Sequence, residues 1–188
     1  LPVAETSVPA EPRDAVQVVA AAPDRGFRGS VWRTHWRDIE ALDWGLSLRS
    51  SGRYHRGTDL FPVEQTFPAL YTSLAPEIAV WEMVRRSVAR NLAFLRYNVL
   101  SELHIDLARV LDLSVPAATG LSEIDLTSSD FRRCQEIAAA ALARGFEGIL
   151  VPSAALQGTN LVALPRNLTA ATLRCVRSTA LSLDEIVR

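Results

Sequence analysis

The sequence predicts one α+β domain, and three observations carry that reading. At 188 residues the chain is long enough for a single domain with a proper core. The expected strands fall in clusters between two expected helices instead of alternating regularly with them. Internal repeats are absent, which removes solenoid and propeller architectures.

Residues 1–25 are rich in Pro, Ala, Val and Glu and have neither the basic n-region nor the apolar h-region of a signal peptide. They read as a flexible leader or linker, with the domain over 26–188 and folded structure starting near Phe27. Ser30 to Arg33 reads as a short strand from its β-branched and aromatic content. The stretch 50–68 holds Gly, Pro and several polar residues and is expected to be a long exposed loop. Residues 69–72 then read as a buried strand.

A helix over 76–90 follows, with Pro76 at its first position and Glu77 beside the positive end of its dipole. Residues 93–99 and 102–113 are expected as two strands, the second with Leu103, Ile105 and Leu107 alternating against His104 and Asp106. A second helix is expected over 129–144, with Ser129 or Asp130 as its cap and Gly145 at its C-terminal stop. Short strands at 149–151, 161–164 and 173–176 complete the set.

Composition excludes several chemistries. A net charge of −1 gives no electrostatic footprint for nucleic acid or an anionic membrane. All 20 basic residues are Arg, so lysine Schiff-base and general-base chemistry is not available. Cys134 and Cys175 form no CxxC pair, and the default reading is a reduced intracellular protein. His35, His55 and His104 lack metal-ligand spacing, and no metal is expected. No apolar run reaches membrane-spanning length. P-loop, GxGxxG, HExxH and EF-hand patterns are absent, which removes most nucleotide and metal enzymes.

Three polar residues stand out in apolar or turn-forming surroundings: Arg53, Glu82 and Ser153. Arg53 is either a solvated loop cation or a planar fork for a phosphate or diphosphate, with Gly52 allowing close backbone approach to a ligand. Glu82 is either half of a surface ion pair with Arg85 or Arg86, or a carboxylate that anchors a ribose hydroxyl and stabilises oxocarbenium-like charge. Ser153 follows a buried strand, as a turn residue or as a hydroxyl aimed into a cleft, and no GxSxG elbow surrounds it. Tyr71, eleven residues before Glu82, is either core filling or a ring that stacks on a flat heteroaromatic with its hydroxyl at the pocket mouth. Arg33 is a second candidate phosphate ligand, and Asn160 is a turn residue or a hydrogen-bonding partner for an amide or hydroxyl.

The pieces Val31-Trp32-Arg33, Gly52-Arg53-Tyr54 and Pro68-Ala69-Leu70-Tyr71-Thr72-Ser73 come in that order. Pro76-Glu77-Ile78-Ala79 through Glu82, the run from Gly145 to Ala154, and Gly158-Thr159-Asn160-Leu161-Val162 follow. Over roughly 27–165 this order resembles the RES domain, named for its Arg, Glu and Ser, the toxin half of Xre–RES toxin–antitoxin pairs. The segment between Arg53 and Tyr71 is longer than in compact members.

The resemblance implies an ADP-ribosyltransferase-like fold, a split β-sheet core with flanking helices, and NAD as substrate. By it, Arg53 binds the diphosphate or ribose side of NAD and Tyr71 lines the nicotinamide pocket. Glu82 holds the nicotinamide ribose, and Ser153 completes the polar wall. The activity implied is cleavage of the nicotinamide–ribose bond, as glycohydrolase or phosphorylase, with protein ADP-ribosyltransferase as the alternative. A non-catalytic interaction module is a third reading. The resemblance also implies a cytoplasmic protein, a homodimer, and neutralisation by a helix-turn-helix antitoxin of Xre type. An immunity protein takes that place if the domain belongs to a larger delivered effector.

Overall fold

Two long antiparallel strands form the spine of the molecule: β1 (Asp24–Trp36) and β3 (Asn98–Asp112), paired from Asp24 opposite Leu111 to Trp36 opposite Asn98 with a register shift between Arg25 and Phe27. The computed structural model describes residues 14–88, 96–168 and 173–181. The other elements, in chain order, are α1 (Ala15–Ala21), β2 (Leu70–Ser73), α2 (Pro76–Val88), α3 (Glu123–Thr127), α4 (Arg132–Ala143), β4 (Gly148–Pro152), β5 (Thr159–Ala163) and β6 (Leu173–Ala180).

The sheet order is β1-β2-β5-β4-β3-β6, and β1 also pairs with β3, so five strands close a ring of pairings. On the edge of β3 away from β1, β6 pairs with Val99 to Ile105 and β4 with Val110 to Asp112. The β3–β4 pair is parallel, and α3 and α4 make the crossover that a parallel connection requires.

Strand alternation sorts the core into two clusters. Ile149, Val151, Val162, Leu164 and Leu111 face α1, α3 and α4, whose Val18, Leu126 and Ile137 pack with them. Leu150, Leu161, Ala163 and Val110 point the other way and join Val31, Leu70, Leu103, Ile105 and Leu107. Every strand of the ring contributes to this second cluster, so it fills the inside of the ring.

Folded structure starts earlier than the expected Phe27. Residues 1–13 lie outside the described residues, but Asp14 caps α1, accepting from the Gln17 N–H at 2.8 Å while Gln17 reaches back to the Asp14 N–H. Val18 is fully buried in the core cluster that α4 lines, so α1 packs on the rest of the fold. The strand expected over four residues at Ser30 runs for 13, because twelve register pairs with β3 extend it both ways.

The two strands expected over 93–99 and 102–113 are one. β3 passes through Leu100 and Ser101 without a break, while 93–95 lie outside the described residues. The second helix begins at Arg132 with Phe131 in the N-cap position, and the Asp130 carboxylate, one residue earlier, accepts the Arg132 N–H at 3.1 Å while pairing with the Arg132 side chain. It ends as expected, on Gly145 at φ 78.

Candidate functional site

Glu82 sits on the face of α2 that meets the β4–β5 loop. Ile78, one turn earlier, packs against Gly158 of that loop so closely that a Cβ at Gly158 would lie 2.2 Å from Ile78 Cδ1. One turn further on, the same helical face presents Glu82 to the two ends of the loop. Its Oε1 accepts three hydrogen bonds: from Ser153 Oγ at 2.7 Å, from Asn160 Nδ2 at 2.7 Å and from the Ala154 N–H at 3.2 Å. The surface ion pair with Arg85 is not formed, and the side chain of Arg86 lies outside the described residues.

Asn160 is committed at both ends, since its Oδ1 accepts from Ser73 Oγ at 2.7 Å. Ser153 is doubly used as well: its Oγ donates to Glu82 and accepts from the N–H groups of Ala155 and Leu156. The turn role expected for Ser153 is present, and the same hydroxyl also binds Glu82.

A second polar cluster surrounds the Tyr71 hydroxyl. His55 Nε2 donates to the Ser50 carbonyl at 2.7 Å, and in the neutral ring Nδ1 is then the acceptor. Tyr71 donates its hydroxyl proton to that Nδ1 at 2.9 Å, while its oxygen accepts the Tyr54 N–H at 2.8 Å. The hydroxyl expected at a pocket mouth is thus tied to the 52–55 turn. The open side of Gly52, expected to admit a ligand, is filled by the His55 ring and the Tyr71 hydroxyl.

The same turn carries Arg53, which is no solvated loop cation. Its Nη1 donates to the carbonyls of Leu126 (3.1 Å) and Ser128, at the C-terminal end of α3, and its guanidinium lies 4.6 Å from the Phe131 ring centroid. Tyr54 and Gln135 fasten the turn further, through the Leu126 and Gly52 carbonyls. Burial pushes the Tyr54 hydroxyl and the neighbouring Cys134 thiol up, so both stay protonated near neutral pH.

The structure therefore joins Glu82, Ser153 and Asn160 directly and Tyr71 to the turn that carries Arg53. β2 links the two clusters, because Tyr71 and Ser73 lie two residues apart on one face, about 7 Å along the strand. Among the described residues no hydrogen bond connects Arg53 to the Glu82 cluster. Arg33 is anchored elsewhere: its Nη1 and Nη2 donate to the Ala41 and Asp43 carbonyls at 2.6 and 2.8 Å.

Ser73 and His55 were not singled out as site residues. The available signal was the two-residue alternation that puts Ser73 on the Tyr71 face. Two concavities of about 590 and 500 Å³ lie away from both clusters, one between Trp44 and Leu173 and the other between Asp38 and Ser178. Among the described residues no group of three or more His, Cys, Asp or Glu is placed to hold a metal ion, and no helix is long and apolar enough to cross a membrane.

The RES domain family model matches residues 6–184. The chain belongs to the RES domain family. A curated relative, a probable NAD(+) phosphorylase of Mycobacterium tuberculosis, is 29% identical over 151 residues, covering 78% of this chain and 68% of the relative. The crystal structure of the M. tuberculosis MbcT–MbcA toxin–antitoxin complex contains a chain that superposes with a TM-score of 0.78 at 25% identity, covering 92% of this chain and 94% of that one. The RES match contains every candidate residue from Arg33 to Asn160.

Proposed function

We propose that this RES domain is a toxin that consumes NAD by breaking the nicotinamide–ribose N-glycosidic bond. The observation that carries the reading is the Glu82 carboxylate, held through one oxygen by Ser153, Asn160 and the Ala154 amide. Similarity to a probable NAD(+) phosphorylase and to a toxin–antitoxin complex supports the same reading from outside the site.

The bond to be broken sets the requirements. As the C1″–N bond breaks, its electron pair moves to the pyridinium nitrogen, and nicotinamide departs neutral. Little general acid catalysis is needed; what is needed is a fixed anion beside the positive charge that develops on the ribose. A carboxylate already oriented by three donors supplies that charge without reorganising during the reaction. The oxygen of phosphate or water then bonds to C1″, giving ADP-ribose 1″-phosphate, or ADP-ribose with release of a proton.

In this reading Glu82 also grips the ribose hydroxyls, and Tyr71 offers its ring to the nicotinamide. Arg53 faces the diphosphate with the part of its fork not used on α3, whereas Arg33, tied to the Ala41 and Asp43 carbonyls, is left out of the site. Asn160 shapes the site through Glu82. An ADP-ribosyltransferase-like split sheet is part of this reading, and the change of partners along β3, from β6 to β4, supports it. The partner is an antitoxin of Xre type that covers the NAD cleft of a toxin homodimer, and the compartment is the cytoplasm.

The test is a product analysis of NAD incubated with the purified protein, with and without inorganic phosphate. Phosphate-dependent release of nicotinamide with ADP-ribose 1″-phosphate identifies a phosphorylase, and free ADP-ribose a glycohydrolase. ADP-ribose attached to protein, with little free product, would replace this reading by transferase activity. NAD left intact would refute it.

A further inference from the structure

We propose that Ser73 is a positioning residue for Glu82, acting through the side-chain amide of Asn160. The inference rests on the NAD-cleaving role proposed for Glu82 and adds a residue that lies one contact away from it.

Asn160 has an acceptor end and a donor end, and only the donor end can face a carboxylate favourably. With the amide turned over, its Oδ1 would point at Glu82 Oε1, oxygen against oxygen. The carboxylate itself selects the donor end, and the Ser73 hydroxyl, donating to Asn160 Oδ1 at 2.7 Å, fixes the place and plane of the amide that meets it.

Backbone register makes the contact available. Ser73 and Asn160 are direct partners across the antiparallel β2–β5 pair, close enough for two short side chains to meet. Asn160 is in turn the register partner of Val151 on β4, two residues before Ser153. One row across the sheet thus sets the amide and brings the strand-end hydroxyl to the same carboxylate. Ser73 is 3% exposed, so removing its hydroxyl leaves the acceptor end of Asn160 without its protein partner in a place where solvent does not readily substitute.

The three donors converge on Oε1 alone, and Oε2 accepts no hydrogen bond among the described residues. The network therefore fixes the plane of the carboxylate and presents Oε2 as the oxygen that meets a ligand. Ser73 acts on the orientation of that oxygen and does not contribute a contact of its own.

The experiment combines steady-state kinetics with NMR on Ser73→Ala, Asn160→Ala and the double variant. We expect kcat of Ser73→Ala for NAD to fall about tenfold, the effect of one lost hydrogen bond, with KM within about twofold. Because the two residues act in series, the double variant should match Asn160→Ala within about twofold. Two resonances provide the second readout: the Asn160 side-chain NH2 and the Glu82 side-chain carboxyl carbon should both shift in Ser73→Ala.

Unchanged kcat in Ser73→Ala, multiplicative losses in the double variant, or a Glu82 carboxyl signal that does not move would each overturn the proposal. If the parent protein leaves NAD intact, the proposed activity falls separately. The two resonances then decide alone whether Ser73 orients Glu82.

Discussion

Gly158 and Ile78 approach so closely that a side chain at position 158 would have to displace Ile78. An added Cβ would come within 2.2 Å of Ile78 Cδ1, and the Gly158 backbone lies at φ 152, where side-chain-bearing residues are strained. This contact seats the β4–β5 loop on α2. Ser153 and Asn160, at the two ends of that loop, reach Glu82 only while the seat holds.

Gly158→Ala is therefore expected to lower stability by about 1–3 kcal/mol, through backbone strain and the displaced Ile78 side chain. Activity per folded molecule should fall as well, since both ends of the loop move from Glu82. Urea denaturation and NAD turnover, measured on the same preparations, check the two effects. A variant with parental stability and turnover would show that the loop is not held by this contact.

Arg53 has structural work as well as its proposed ligand contact. Truncating it removes the donor for the Leu126 and Ser128 carbonyls and the stacking on Phe131. Arg53→Ala should cost about 1–3 kcal/mol of stability without any ligand present. Denaturation midpoints for parent and variant test this directly. Identical midpoints would mean that the anchoring of α3 does not depend on Arg53.

How much of this was readable beforehand varies by region. α2 was legible because Pro76 and Glu77 are strong local start signals, and the end of α4 because Gly145 supplies the left-handed stop. The β3 spine was divided in two because His104 and Asp106 give clear alternation only in its central part. α1 was missed because its seven residues are capped by Asp14 and Gln17 within a segment whose composition resembles a linker.

At the site, Glu82 and Ser153 stand out as polar residues in apolar or turn-forming surroundings and Asn160 is a hydrogen-bonding candidate, but their convergence on one oxygen depends on the packing of α2 against a loop some 75 residues away. The tie from Arg53 to α3 was hidden for the same reason: it spans 73 residues and depends on carbonyls that carry no side-chain signature.

Stability should depend on pH through His35. Burial is the main reason that its pKa lies below the ordinary 6.5, and the charge of Arg33 adds to the effect. The neutral ring fits its surroundings: Nδ1 donates to the Trp36 carbonyl at 3.0 Å, and Nε2 accepts from Ser101 Oγ at 2.7 Å. The unfolded chain binds a proton as the pH falls through 6.5, while the folded chain does so only at lower pH. The His35 contribution is thus complete above about pH 6.5 and is lost as the pH drops toward the folded value. Urea midpoints between about pH 8 and 5 should fall more steeply for the parent than for His35→Gln. Parallel profiles would contradict the assignment.

The central claim concerns the charge on Glu82. The most direct measurement is nicotinamide release from NAD by the parent and by Glu82→Gln, a substitution that keeps shape and removes charge. With the denaturation midpoint within about 1 kcal/mol of the parent, turnover should fall by about a hundredfold or more, as expected when the anion beside a developing cation is lost. A folded Glu82→Gln protein that releases nicotinamide at the parental rate would contradict the account.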